Sequence, residues 1–91
     1  MMSKDTKLIE PREMKPGDKC WIFDDRANND ICRAEILHVL PHPEDPDERL
    51  IVYRWFGENK KWWWYGITDL EYQELNHELI KKKVEKINKN G

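Results

Sequence analysis

The sequence has no long apolar run, no surplus of one charge and few cysteines. No segment approaches the roughly 20 apolar residues that a membrane-spanning helix needs, and residues 1–10 contain no apolar stretch typical of a secretory signal. We therefore expect an intracellular protein, cytoplasmic or nuclear, that does not associate with membranes. Its 16 basic and 18 acidic residues leave a net charge of −2, so there is no general cationic field to attract nucleic acid.

Residues that commonly build metal and catalytic sites are also sparse. Cys20 and Cys32 lack the CxxC spacing of a zinc site, and the three histidines do not complete a ligand pattern. His38 and His42 have no evident nucleophile partner, and no glycine-rich phosphate loop is present. These absences predict a protein that is not an enzyme, holds no metal or other cofactor, and keeps its thiols reduced, although a cross-strand disulfide stays open.

What the sequence does contain is a dense aromatic segment over residues 48–70, with four of the five tryptophans. Residues 50–56 and 61–67 are rich in aromatic and β-branched side chains, which favour strands. Residues 57–60 between them include a glycine and an asparagine, which favour a chain reversal. The segment therefore predicts a β-hairpin.

The second strand of this hairpin is predicted to be aromatic on both faces, because successive side chains of a strand point to opposite sides. Trp62 and Trp64 share one face, and Trp63 and Tyr65 share the other. A domain of this size cannot readily bury both faces. Three readings stay open for these rings: core packing, a peptide or protein interface, and a stacking platform for single-stranded nucleic acid.

The rest of the chain adds two strands and a helix. Residues 19–23 and 31–40 are predicted strands, the second one long and bent. Thr68 and Glu71 match a capping box and predict a helix over about residues 69–88. An apolar stripe at helical spacing is formed by Tyr72, Leu75, Leu79, Ile80, Val84 and Ile87.

Three regions follow from this pattern. Residues 1–14 are predicted to be a flexible arm, with a short edge strand at Leu8 and Ile9 as the alternative. Residues 15–70 are predicted to form a mainly β domain, a small antiparallel barrel of about five strands. Residues 71–91 are predicted to be a helix and tail that packs on the barrel or on a partner, so that the protein is a monomer or a homodimer through this helix.

Four short motifs between residues 15 and 70 follow the pattern of one family. They are Pro16-Gly17-Asp18-Lys19-Cys20, Cys32-Arg33-Ala34-Glu35-Ile36, Val52-Tyr53-Arg54-Trp55-Phe56-Gly57-Glu58-Asn59 and Asp69-Leu70. With these motifs the run resembles a Tudor domain of the survival-motor-neuron type, within the SH3-like small barrels. The resemblance implies a five-stranded antiparallel barrel that acts by binding.

In that family, a cage of aromatic rings holds the methylated cation of arginine or lysine by cation–π attraction. The resemblance places Tyr53 and Phe56 at two cage positions and Asn59 at the polar position that orients the bound group. At two further cage positions this sequence departs from the family, with Asp24 and Cys32 in place of aromatic residues. The resemblance therefore implies a partial cage, or one rebuilt from other tryptophans.

These features together predict a binding module that recognises a peptide or protein segment, including a methylated or cationic one, through surface aromatic residues. The predicted ligand-binding residues are Tyr53, Trp55, Phe56, Asn59, Trp63 and Trp21. A basic patch of Arg54, Lys60 and Lys61 borders them, and it also supports the alternative of a single-stranded nucleic-acid-binding protein. A third alternative is a structural or oligomerisation domain without a small ligand.

Overall fold

The computed structural model describes residues 6–57 and 61–90 of the chain. Within these residues the strands and helices are β1 (Lys19–Phe23), β2 (Ile31–Pro41), β3 (Arg49–Phe56), β4 (Trp63–Asp69), α1 (Leu70–Leu75) and α2 (His77–Asn90). Each strand pairs antiparallel with the next, in the order β1-β2-β3-β4. The fold is therefore mainly β, with one open four-stranded sheet and a C-terminal helical segment.

The four strands are close to those that the alternating pattern predicts, and the predicted bend in the second strand coincides with a change of register. The pairing of β2 with β3 shifts between Ile36 and His38, and an extra residue of this kind bends a strand and increases its twist. The closed five-stranded barrel is not confirmed, because within the described residues β1 and β4 are the outer strands of an open sheet.

One face of the sheet, which we call the inner face, carries the larger core. Its buried residues are Met14, Cys20, Ile22, Ala27, Cys32, Ala34, Ile36, Ile51, Tyr53 and Trp55. Within the strands these are the alternate positions, as a sheet with one buried face requires. Both cysteines are free. Burial raises the pKa of Cys20 to about 12 and also raises that of Cys32, so the thiols stay protonated at neutral pH.

Helix α2 covers part of the opposite, outer face. Ile80 and Val84 pack against Trp21 and Ile31 of the sheet. The buried positions of the two helices include Leu70, Gln73, His77, Ile80 and Val84. This spacing of three and four residues is helical, but two of its members are polar. The predicted apolar stripe is therefore only partly buried, with Tyr72, Leu75 and Leu79 exposed.

The start of the helical segment differs from the predicted capping box by one residue. The side chain of Asp69, not Thr68, accepts the hydrogen bond from the Tyr72 N–H at 2.8 Å, while Thr68 is buried and accepts a bond from Gln73. The predicted single helix is also interrupted. The side-chain amide of Asn76 donates to the Tyr72 carbonyl at 2.9 Å and ends α1. None of the described helices is long and apolar enough to span a membrane.

Residues 6–14, for which the sequence predicts a flexible arm, lie against the sheet. The Lys7 N–H donates to the Lys19 carbonyl at 3.0 Å, and the Lys7 carbonyl accepts from the Trp21 N–H at 3.1 Å. Further along, Met14 is buried in the inner core. This segment includes a short 3-10 turn at Pro11–Glu13. Its main-chain bonds cover the outer edge of β1.

Candidate functional site

The β3–β4 hairpin carries aromatic side chains on both faces of the sheet. Its register pairs Trp55 with Trp64 and Phe56 with Trp63. Since directly opposite residues share a face, the first pair lies on the inner face and the second on the outer face. Trp62 precedes β4 and is exposed. The predicted sharing of a face by Trp63 and Tyr65 agrees with this register.

On the inner face the aromatic rings surround an arginine of the same chain. We call Asp24, Arg26, Tyr53, Trp55 and Trp64 the inner arginine cluster. The Arg26 guanidinium carbon lies 4.9 Å from the ring centroid of Trp55 and 5.8 Å from that of Trp64. Trp55 is stacked between Tyr53 and Trp64, with centroid distances of 6.1 and 5.8 Å. A cation over an indole face is attracted by the ring quadrupole.

The buried carboxylate of Asp24 holds this arginine in place. Its two oxygens accept bonds from Nε and Nη2 of Arg26 at 3.1 and 2.9 Å, and Oδ2 also accepts the Tyr53 hydroxyl at 2.6 Å. Burial alone raises the pKa of Asp24, but the bonds from Arg26 and Tyr53 outweigh it and the net pKa is lowered. Asp24 and Arg26 therefore stay charged and paired at neutral pH.

Gly66 of β4 provides the space for this cluster. A Cβ atom at this position would lie 2.5 Å from Cζ of Tyr53 and 2.8 Å from Nη2 of Arg26. Both distances are far below van der Waals contact, so a side chain at this position would displace the tyrosine ring or the guanidinium. The close packing of Tyr53 and Arg26 against this position therefore explains why it is a glycine.

Three of the predicted ligand-binding residues are buried. Tyr53 and Trp55 are 3% and 4% exposed in the inner core, and Trp21 lies beneath α2. Trp21 and Trp55 do line a cavity of about 370 Å³ next to Phe56. The cage pair implied by the resemblance is not brought together, because Tyr53 and Phe56 lie on opposite faces of β3.

The outer face of the hairpin presents a second group of aromatic and apolar side chains. We call Arg54, Phe56, Trp63, Tyr65 and Ile67 the outer aromatic surface. Phe56 and Trp63 pack edge to face with centroids 5.2 Å apart. The exposed fractions of its four apolar and aromatic residues range from 38% for Phe56 to 68% for Ile67. These side chains are adjacent in the sheet and open to solvent.

Arg54 is fixed within this surface by contacts on several sides. Its guanidinium carbon lies 4.0 Å from the Trp63 ring centroid, and its Nε and Nη2 both lie 3.0 Å from Oε1 of Glu35. Hydrogen bonds to Tyr65 and Glu35 raise the pKa of Arg54 above its ordinary value. The charge of this arginine is therefore balanced locally.

The remaining predicted site residues are Asn59, Lys60 and Lys61. Asn59 and Lys60 fall outside the residues that the structure describes. Lys61 is exposed just before β4. The proposed basic patch is consequently represented by Arg54 and Lys61, and Arg54 is paired with Glu35.

Sequence reasoning missed Asp24 and Arg26 as partners of the aromatic rings. They lie in residues 24–30, a segment that reads as a polar loop without an apolar anchor. The available signal was an acidic and a basic residue two positions apart after a strand, which is common in solvated loops. Only the fold shows that this loop turns its charges toward the rings of β3 and β4.

Comparison with family models, curated proteins and solved structures finds no match to this chain. The resemblance to Tudor domains therefore stays a prediction from the four motifs. Among the described residues, no group of three or more His, Cys, Asp or Glu side chains is placed to hold a metal ion. The candidate site thus rests on the geometry of the outer aromatic surface.

Proposed function

We propose that this protein is a non-enzymatic binding module that holds a peptide or protein segment on the outer aromatic surface. The observation that carries the proposal is the exposure of adjacent large apolar side chains, Phe56, Trp63, Tyr65 and Ile67, on one face of a hairpin. Contiguous exposed apolar patches typically mark interaction sites. Tryptophan, tyrosine and arginine are also the residue types enriched among binding hot spots.

Contacts between neighbouring side chains fix the central ring of this surface. Trp63 lies between the edge contact with Phe56 and the guanidinium of Arg54. Side chains held in place in the free protein lose less conformational entropy on binding. The outer aromatic surface therefore favours binding through its indole and phenol rings.

Charge favours a protein partner over nucleic acid. Affinity for a polyanion depends on cations that neutralise phosphates, whereas Arg54 is already paired with Glu35. We propose an SH3-like or Tudor-like framework for the hairpin, supported by the antiparallel strand order and the bulged second strand. The inner arginine cluster is occupied by Arg26, so a cationic ligand would meet the rings of the outer face.

Two neighbouring tryptophans provide the test. Trp63 and Trp64 are 41% and 37% exposed but lie on opposite faces. The probe is a phage-displayed library of random short peptides selected on the full-length protein. We expect Trp63→Ala to weaken the selected peptides by roughly tenfold or more, as at other aromatic hot spots. Trp64→Ala should reduce stability and keep the affinity of the folded fraction.

Circular dichroism of both variants controls for folding. Peptides that bind Trp63→Ala as tightly as the unmodified protein would remove the outer aromatic surface as the site. Binding of a mixed-sequence single-stranded oligonucleotide that weakens steeply with salt, without enrichment of any peptide, would support the nucleic-acid alternative instead.

A further inference from the structure

The rest of the chain covers one outer edge of the sheet with hydrogen bonds and leaves the other edge largely uncovered. On β1, the main chain of Lys7 bonds to Lys19 and Trp21. The side-chain amide of Gln73 then accepts from the Phe23 N–H and donates to the Phe23 carbonyl, both at 2.9 Å. Gln73 thus takes the place of a peptide group of a neighbouring strand, and this edge is covered.

The outer edge of β4 is largely uncovered. In an antiparallel pair, main-chain groups alternate between the partner strand and the outside. Nη2 of Arg26 donates to the Tyr65 carbonyl from the outside at 3.1 Å, and this places the N–H and C=O groups of Trp63, Tyr65 and Ile67 on the free edge. Within residues 6–57 and 61–90, Arg26 is the one hydrogen-bonding partner on this edge.

The sequence of β4 also lacks the usual protection of an edge strand. Sheets commonly prevent unwanted pairing with proline, lysine, a bulge or an inward-pointing charge. Strand β4 reads Trp-Trp-Tyr-Gly-Ile-Thr-Asp, and its pairing with β3 is regular along its length. Its one charged residue, Asp69, caps α1. An unprotected edge with exposed apolar side chains is suited to accept another strand.

An open groove of about 820 Å³ runs along this edge. Its lining includes Phe23 and Asp25, Tyr65 and Ile67 of β4, and Tyr72 of α1. Phe23 and Tyr72 from other elements thus border the same groove as the exposed edge of β4, so an added strand would have apolar side chains beside it.

The charges of the groove select the kind of peptide. Asp24, Asp25 and Asp69 line the groove together with Arg26, and Arg26 is neutralised by Asp24. Two carboxylates are left in excess, which favours a basic side chain. A second copy of this chain suits this requirement poorly, because its own β4 contains no lysine or arginine.

We propose that β4 receives an extended segment of a partner protein as an added strand. Alternate apolar side chains of that segment would lie on the outer aromatic surface, and a basic side chain would lie beside Asp25 and Asp69. Main-chain bonds would supply affinity and the alternating side chains specificity, as in other cases of strand addition. This inference rests on the proposed function and specifies the partner as a basic, extended segment.

The test uses a capped synthetic peptide, Lys-Ser-Val-Ser-Val-Ser-Lys, with the isotope-labelled full-length protein. In a strand this peptide places valine and lysine on one face, as Ile67 and Asp69 are in β4. Nuclear magnetic resonance follows the amide signals of Trp63, Tyr65 and Ile67. At about ten times the dissociation constant, we expect their exchange with solvent to slow roughly tenfold, because the edge is then covered. The same peptide with N-methylated amides should give no such protection, and the peptide with glutamate in place of lysine should bind more weakly.

The same edge can also be tested by changing the protein instead of the peptide. Ile67→Pro removes an N–H that points away from β3 and should abolish protection of Trp63 and Tyr65 by the peptide. Ile67→Ala keeps this N–H but trims the outer aromatic surface, so it should weaken the protection only in part. Circular dichroism establishes that both variants fold. If Ile67→Pro does not fold, the N-methylated peptide decides the question alone.

The outcomes separate this inference from the proposed function. Strand addition would be overturned if the N-methylated peptide bound equally well. It would also be overturned if library peptides depended on Trp63 without protecting the edge amides. Either result would leave the proposed function standing. Concentration-dependent protection without peptide would show that β4 pairs with a second copy, which also overturns the inference. Failure of every peptide to perturb Trp63 would overturn both.

Discussion

The β3–β4 hairpin builds a similar arrangement on each face, and the two differ chiefly in the burial of the carboxylate and of the tryptophan ring under the arginine. Arg26 lies over Trp55 on the inner face and Arg54 lies over Trp63 on the outer face, each guanidinium bound to a carboxylate. The inner carboxylate, Asp24, is buried, whereas the outer pair is partly exposed. The carboxylate that binds the arginine is therefore buried on the inner face and partly exposed on the outer face.

The difference shows what each arrangement contributes. A buried charge that loses its partner is costly, because its desolvation is no longer compensated. Exposed ion pairs contribute little to stability, since water and salt screen them. We expect the inner arginine cluster to stabilise the fold, and the outer aromatic surface to be nearly dispensable for folding and available for binding.

The largest loss of stability is expected from Gly66→Ala, which disrupts the packing of the inner arginine cluster. The new methyl group would lie 2.5 Å from Cζ of Tyr53, and overpacking of this kind costs up to about 3 kcal/mol. Urea unfolding measures the loss. Ile67→Ala, one residue away and 68% exposed on the outer face, should change stability by only about 0.5 kcal/mol. Similar losses for the two variants would contradict the comparison.

A matched pair of tyrosines gives the next largest difference. Tyr53→Phe removes the hydroxyl that donates to Asp24 at 2.6 Å and should destabilise the protein by about 2 kcal/mol, as for hydrogen bonds to charged groups. Tyr65→Phe removes a hydroxyl from the exposed outer face and should cost much less. Equal changes in the urea midpoint would show that the two faces contribute alike to folding.

Acid should weaken the inner cluster selectively. The pKa of Asp24 is lowered in the folded protein, so its contribution is present above the unfolded value of about 3.9 and is lost as the pH falls through the folded value. The stability difference between the unmodified protein and Asp24→Asn should therefore shrink below about pH 4. Unfolding measured across this range checks the effect. If the stability difference between the two proteins stays constant down to pH 2, protonation of Asp24 does not contribute to the loss of stability in acid.

Much of the strand arrangement could be predicted from the sequence, because each strand shows local alternation. The predicted strand over residues 19–23 coincides with β1, and the mainly β fold with a C-terminal helix is confirmed. The buried face of the helices was harder to predict. Gln73 and His77 occupy buried positions. A buried stripe predicted from apolar residues alone leaves such polar residues out.

The candidate site could be predicted only in part, for a physical reason. Alternation shows which residues share a face, but only tertiary packing decides which face is covered. Phe56 and Trp63 are exposed as a binding surface requires, whereas Tyr53 and Trp55 are buried. The guanidinium of Arg26 reaches the same rings from a distant loop, and no local pattern specifies such a contact.

The smallest effect on stability is expected from Glu35→Gln, which weakens the hold on Arg54 without removing either side chain. Both groups are partly exposed, so the urea midpoint should not change measurably in low or in high salt. Affinity for the library peptides should fall more than stability does, because the guanidinium over Trp63 becomes less well fixed. A clear loss of stability would mean that the outer aromatic surface acts as a second core, and its exposed rings would then have a structural reason to be there.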